Sequence, residues 1–436
     1  MTAQAVDPAP GAPAPDAPVE HRTVETVSSK APVILAVLTG LLALLLVAAH
    51  HPGDVRFALG SSHDFFEIPV IVVPGPVVAW GGVVVMAALT AVAFVLTSAL
   101  RRHVPAWVTV PFAVVGLVAF LAWAGAGSPR DLSITGLISG AIALSIPIVY
   151  GALGGVIGER AGVVNIAIEA QLLLAAFTSA LVGSITRSPW AGLVAAMLAG
   201  VLVALVLGVF AITYRVNQVI VGVVLNVLVI GITSFLYSQL LVPNAQALNT
   251  TPRFPRVGIP LLERIPVIGP AVFNQTVVVY LMFVVTAAVW FGLYRTRWGL
   301  RVRAVGEHPK AADTVGIKVN ATRYRALLMA GAVAGIGGAF YTVVSIGQFG
   351  REMTAGAGFI ALAAVIFGKW DPLRAAFAGL LFGFASNLQS ILSVVGAPVP
   401  SQFMLMLPYV ITLLAVAGLV GRSRGPAASG VAYEKE

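Results

Sequence analysis

The sequence predicts an all-α, polytopic helical membrane protein with about twelve transmembrane segments. Of 436 residues, 58% are hydrophobic and only 10% charged, whereas an ordinary soluble domain carries roughly a quarter charged residues. Such a chain cannot cover a core with a soluble surface, but a bilayer accepts apolar side chains on the outside as readily as on the inside. Apolar runs long enough to cross ~30 Å of hydrocarbon recur throughout. Strand-type alternation over ten-residue stretches is absent, which favours a helical bundle over a β-barrel.

Residues 1–31, rich in Ala and Pro, cannot bury apolar surface and are expected to form a disordered cytoplasmic tail. The first apolar run, 32–49, has no basic cluster before it and no small-residue cleavage site after it, so it reads as a retained span. With 76–100 and 105–125 it makes three N-terminal spans within residues 32–125. Further spans are expected at 134–157, 163–183, 190–213, 219–242, 276–294, 326–346, 375–395 and 402–421. One more, 355–369, is short. Glycines at small-xxx-small spacing (Gly151 with Gly155, Gly331 with Gly335, Gly379 with Gly383) suit close helix approach. Gly-rich breaks are expected near 158–162 and 347–358.

The 26 Lys and Arg exceed the 17 Asp and Glu, giving a formal charge of +9. No basic run interleaved with aromatics points to nucleic acid, and the excess reads instead as basic cytoplasmic loops. With the N-terminus inside and every segment crossing, 19 of the 26 basic residues fall on the inner side. Eight of them lie between Arg295 and Arg325. Both termini, including the tail 422–436, are then cytoplasmic. A re-entrant 355–369 would instead move Lys369, Arg374, Arg422, Arg424 and Lys435 to the outer side.

Enzyme constellations are missing. Cysteine is absent altogether, so disulfides, thiolate metal sites and cysteine nucleophiles are excluded. None of the six histidines falls within an expected span, and no pair has zinc-ligand spacing beside a carboxylate on a helix; the cluster His50, His51, Asp54, His63 and Asp64 reads as a solvated loop before it reads as a metal site. No metal site is expected. No G-x-x-x-x-G-K-S/T loop is present, so the chain is expected to carry no cofactor of its own. ATP-driven work would need another polypeptide.

The most informative stretch is Gly158-Glu159-Arg160-Ala161-Gly162-Val163-Val164-Asn165-Ile166-Ala167-Ile168-Glu169-Ala170-Gln171. Glu169 is the one acid expected within a span, where a central charge costs ~2.5–3.5 kcal/mol even on the lenient insertion scale. Asn165 lies four residues earlier, so a continuous helix would put both on one face. Two readings stand side by side. The pair lines a solute path at a helix break, or Glu169 staples the backbone groups that the break frees. Asn226, alone amid Val and Leu, also needs a partner, another helix or a solute. Phe359 and Asn387 join the candidates because an aromatic face and an amide suit a nucleoside.

This stretch resembles the signature of permease subunits of ABC importers of the branched-chain amino-acid, ribose and nucleoside superfamily. The closest likeness is to the nucleoside branch that works with a BMP-type lipoprotein. The resemblance continues in Arg303-Ala304-Val305-Gly306-Glu307-His308-Pro309 with Ala311, Ala312, Gly316 and Ile317, then in Ala355-Gly356-Ala357-Gly358-Phe359-Ile360-Ala361-Leu362-Ala363 and Ile366-Phe367-Gly368-Lys369-Trp370. It covers 134–421 and leaves 1–125 outside. Ala167 and Ala170 stand where the family commonly has glycine.

The resemblance implies a type II-like permease core with a broken or re-entrant helix, in a bacterial cytoplasmic membrane. The chain would carry nucleosides, or in a second reading a simple sugar such as ribose. Implied partners are a separate ATP-binding cassette ATPase, a second permease subunit that is different or identical, and an extracytoplasmic solute-binding lipoprotein. An ion-coupled secondary transporter would require more intramembrane acids. Loop 295–325 is read as cytoplasmic, with Pro309 opening and Gly316 closing a short helix. The resemblance makes that helix the one that docks on the ATPase, with Glu307, Pro309, Ala311, Ala312, Asp313 and Gly316 as the coupling residues. A basic loop lying on anionic lipid is the alternative.

Overall fold

A computed structural model describes residues 29–60, 65–66, 68–396, 402, 406 and 425–435. Three N-terminal helices, α1 (Lys30–Ala48), α2 (Gly75–Ser98) and α3 (Ala106–Ala124), pack side by side. Each is apolar all round; on α1, Val33, Val37, Leu41, Leu44 and Val47 face outward, as lipid-facing side chains do. Strand β1 (Asp54–Ala58) pairs antiparallel with β2 (Ile71–Pro74) and parallel with β3 (Leu132–Ser133). This small sheet ties the three-helix unit to the start of the next helix. The Trp123 indole N–H donates to the Ala49 carbonyl at 2.7 Å.

The remaining chain builds around α4 (Ile134–Arg160), which is buried along most of its length. It is flanked by α12 (Val319–Ile346), α13 (Ala357–Phe367), α14 (Pro372–Val395) and α9 (Val277–Arg295). On the far side of α12, α5 (Ile168–Thr186) packs on α6 (Pro189–Thr213), and α7 (Gln218–Leu241) leans on α5. A short helix, α8 (Ala245–Leu248), and the strand pair β4 (Arg256–Gly258) and β5 (Asn274–Thr276) close the end opposite Arg160. At the basic end, α10 (Arg297–Glu307) and α11 (Pro309–Thr314) follow α9.

The three glycine pairs all lie at helix contacts. A Cβ on Gly151 would stand 2.8 Å from Ala361 of α13, one on Gly155 2.7 Å from Val365, and one on Gly379 2.7 Å from Val149 of α4. Gly331 and Gly335 meet the backbone of α6. Helices thus approach at backbone distance, which is how they associate in lipid.

Among the described residues, ten helices are long and apolar enough to cross a membrane, matching ten of the twelve expected spans. The segment 402–421 lies outside the described residues, apart from 402 and 406, as does 1–28 of the N-terminal tail. The short segment is α13, whose 11 residues rise only ~16 Å. The chain nevertheless crosses there. Gly347 sits against Thr251 and Arg253 at one end of the bundle, while the Trp370 carbonyl receives the Arg160 guanidinium at the other. The stretch 347–370 therefore completes a crossing in two halves, irregular backbone first and then α13. Gly396 ends α14 at the end opposite Arg160, and residues 425–435 lie at the basic end, where Gly425 stands against the Trp370 ring.

Two expectations shift. α4 stays helical through Gly158 to Arg160, so the first break falls at 161–167 instead of 158–162. Gly162, at φ +87°, turns the chain where a side chain would be strained. Asn165 therefore sits in the break, and it does not share a helical face with Glu169. The short strands at the end opposite Arg160 are too brief for an alternation pattern to register.

Candidate functional site

Two interrupted crossings meet inside the bundle. In the first, the chain leaves α4 at Arg160, climbs back as irregular backbone through 161–167 and resumes helix at Ile168. Unpaired backbone groups at this depth have no water to turn to, so side chains must bond them. Gln218, at the start of α7, accepts the Val164 N–H at 2.6 Å. Asn226, about two turns further along α7, accepts the Ala170 N–H at 2.9 Å and donates to the Ile166 carbonyl at 3.0 Å. Asn165 donates to the Gln171 amide oxygen at 3.0 Å. All four amides are at least nine-tenths buried.

The second break, 347–356, has left-handed turns at Gly347 and Gly356 (φ +85° and +82°). Asn249 clamps it by accepting the Phe349 N–H at 2.7 Å and donating to the Phe349 carbonyl at 3.0 Å. The phenyl ring of Phe349 stands edge-on to Phe177 of α5 and Tyr237 of α7. Helix α13 then starts with no capping side chain of its own. The cap comes from α5: the Glu169 carboxylate accepts the Thr354 hydroxyl at 2.6 Å, the Gly356 N–H at 3.0 Å and the Gly358 N–H at 2.6 Å. A carboxylate on the free N–H groups at a helix start is favoured by both the hydrogen bonds and the helix dipole. Gly358 allows this approach, since a Cβ there would run into the Glu169 backbone.

Glu169 thus joins the two breaks, and Asn165 and Asn226 brace the first. Its two oxygens are committed to three donors. Phe359 follows directly in sequence and points outward, 50% exposed, at the depth of this junction. Asn387 lies apart: its amide donates to the Leu137 carbonyl at 2.8 Å, fastening α14 to the first turn of α4, with Gly140 against it.

At the basic end, α11 opens on Pro309 and is closed by Gly316 at φ +83°, the bracket that the sequence implied. Ala312 is buried, while Glu307, Ala311 and Gly316 are exposed and Pro309 and Asp313 half-buried. Gly306, at the last turn of α10, touches the Arg160 carbonyl, so this loop leans directly on the first break. Beside it the Trp370 indole N–H donates to the Glu159 carboxylate.

Sequence reasoning left Gln218, Asn249 and Thr354 out of the candidate site. Gln218 follows Asn217 at the head of an apolar run, and Thr354 immediately precedes the Ala355–Gly358 motif. Polar residues flanking Gly-rich motifs were the available signal.

Such a bundle, with two broken crossings fastened to each other and a short amphipathic loop at its basic end, defines a transport subunit of the membrane. Residues 137–416 match the family described as "Branched-chain amino acid transport system / permease component". The chain belongs to this family of ABC-transporter permeases, which are transport components and not enzymes. It is 40% identical over 308 residues to the guanosine ABC transporter permease protein NupQ of Bacillus subtilis (69% of this chain, 96% of that one). It is 37% identical over 314 residues to the nucleoside ABC transporter permease protein NupC of Lactococcus lactis (69% and 96%). A putative glucose ABC transporter permease protein, TsgC13 of Haloferax volcanii, is 34% identical over 258 residues (58% and 77%). No solved structure matches.

Proposed function

We propose that the chain is the membrane subunit of a nucleoside importer in a bacterial cytoplasmic membrane, with both termini in the cytoplasm. The carrying observation is its similarity, over nearly their whole length, to two permeases named for guanosine and nucleoside transport. A separate ATP-binding cassette subunit binds and hydrolyses ATP, in keeping with the missing phosphate loop in this chain, and it docks on α11 through Glu307, Pro309, Ala311, Ala312, Asp313 and Gly316. An extracytoplasmic lipoprotein delivers the solute to the opposite end. A second permease subunit, different or identical, completes the path. Exposed apolar faces, such as Val223, Val224, Val227 and Leu228 on α7, are compatible with lipid or that partner.

The solute path in this proposal passes the junction formed by Asn165, Glu169 and Asn226. Phe359 offers the ring on which a nucleobase stacks. Asn387 lines the path nearer its outer mouth. The test is uptake of labelled guanosine by cells lacking their own nucleoside import and supplied with this chain, the ATPase, the partner permease and the lipoprotein. Guanosine uptake that collapses when the ATPase cannot hydrolyse ATP supports the proposal. Uptake of glucose or ribose without guanosine would establish the sugar reading instead.

A further inference from the structure

Residues 425–435 lie across the basic end and touch α10, α11, α12, the first break and the α6–α7 turn. The Ala428 N–H donates to the Gly306 carbonyl at 2.9 Å, and the Gly430 N–H to the Gly162 carbonyl at 3.2 Å. A single short stretch thereby bridges the last turn of α10 and the first break. Ala427 donates its N–H to the Glu307 carboxylate at 3.2 Å, and Glu434 pairs with Arg215 of the α6–α7 turn at 2.6 Å. That ion pair is exposed and contributes little by itself. Tyr433 supplies the apolar anchor: only 8% exposed, it packs with Val305 of α10, Ala312 of α11 and Val319 of α12.

Two features show why this contact matters. A six-residue helix cannot hold its own conformation or direction in water, so α11 takes both from what lies beneath Ala312, and part of that is Tyr433. Under the same segment Arg323 is 1% exposed; its Nη1 donates to the Val431 carbonyl at 2.9 Å, while Nε and Nη2 have no hydrogen-bond partner among the described residues. A guanidinium does not neutralise when buried. Covering it costs free energy that the other anchors of the segment must offset, so loss of one anchor should release the segment.

We infer that residues 425–435 are a strap that fixes α11 to the first break, with Tyr433 as its positioning residue, so that force on α11 reaches the Glu169 junction. This deepens the proposed function, since it rests on α11 being where the ATPase docks. The strap transmits; it touches neither solute nor ATP.

The test uses the assembled transporter in proteoliposomes, with guanosine import and ATP hydrolysis measured together. Tyr433→Ala, and separately a chain ending at Gly425, should still assemble with the ATPase yet import at least about fivefold less guanosine per ATP, the lower range of site-to-site coupling. Tyr433→Phe should keep the normal ratio, because packing is what positions α11. An unchanged ratio in both the Tyr433→Ala and the shortened chain would overturn the strap. So would failure of both to assemble, which would make the segment a folding element. Ala311→Glu tests the docking site itself, on an exposed face of α11: an ATPase that binds this variant normally would remove the docking reading whatever the strap does.

Discussion

The two breaks solve one problem with different chemistry. Both leave backbone groups unpaired in a medium without water. The backbone of the first, 161–167, is bonded by neutral amides from α7, and its Asn165 side chain is joined to that of Gln171 on α5. Its fasteners are several, and each makes one or two bonds. The second is held where α13 begins by one carboxylate, Glu169, with three donors, and near Gly347 by Asn249. A distributed set of amide bonds should tolerate the loss of one member better than a cap that places three donors on one carboxyl group. The second break starts a helix whose N–H groups point at the fastener, and there a negative charge is worth more than an amide. At the first break the groups to be bonded include both carbonyls and N–H groups, and an amide serves both where a carboxylate only accepts.

Glu169→Leu should show the largest effect. Three donors lose their acceptor inside the bundle, at a cost of about 4 kcal/mol, and the protein should accumulate poorly and melt well below wild type in detergent. Glu169→Gln makes the second break resemble the first. It should cost about 1–2 kcal/mol, leave the chain assembled and reduce guanosine uptake; uptake and melting temperature both equal to wild type would show that the charge is not what holds α13.

Asn226→Leu frees one N–H and one carbonyl of the first break. It should lower stability by about 2 kcal/mol, less than Glu169→Leu, and a melting loss equal to that of Glu169→Leu would erase the contrast between distributed and single fasteners. Asn165→Ala removes one side-chain pair and leaves the α7 braces in place, so about 1 kcal/mol is expected, with Asn165→Ala and Asn226→Leu together costing more than the sum if the braces share the load. Phe359→Ala should be the mildest for stability, within about 0.5 kcal/mol because the ring is half exposed. Its expected effect is on uptake, as a rise in the guanosine concentration needed for half-maximal rate. A melting shift with unchanged uptake would place Phe359 in packing and outside the path.

Much of this molecule was legible beforehand, and its residues show why. Span positions follow from hydropathy, because a bilayer core of fixed thickness leaves few alternatives to an apolar helix of about twenty residues. The bracket of α11 was readable from Pro309 and Gly316, since one fixes φ at a helix start and the other permits the left-handed turn at its end. Glu169 stood out because an acid within a span demands a partner. Which partner was not readable: Thr354, Gly356 and Gly358 lie some 185–189 residues away, and no local pattern encodes a contact at that separation.

The sequence by itself determined the class of molecule, the approximate place of ten of its expected spans, and the identity of the residues too polar for their surroundings. Those are consequences of transfer free energy and of backbone dihedral limits, which act residue by residue. Tertiary structure alone decided where the first break falls, that 347–370 crosses in two halves, and that Glu169 caps a helix other than its own. It also decided that the C-terminal residues lie under α11. Each of these depends on which backbone groups are left unpaired once the helices have packed, and that count exists only when distant segments have been brought together.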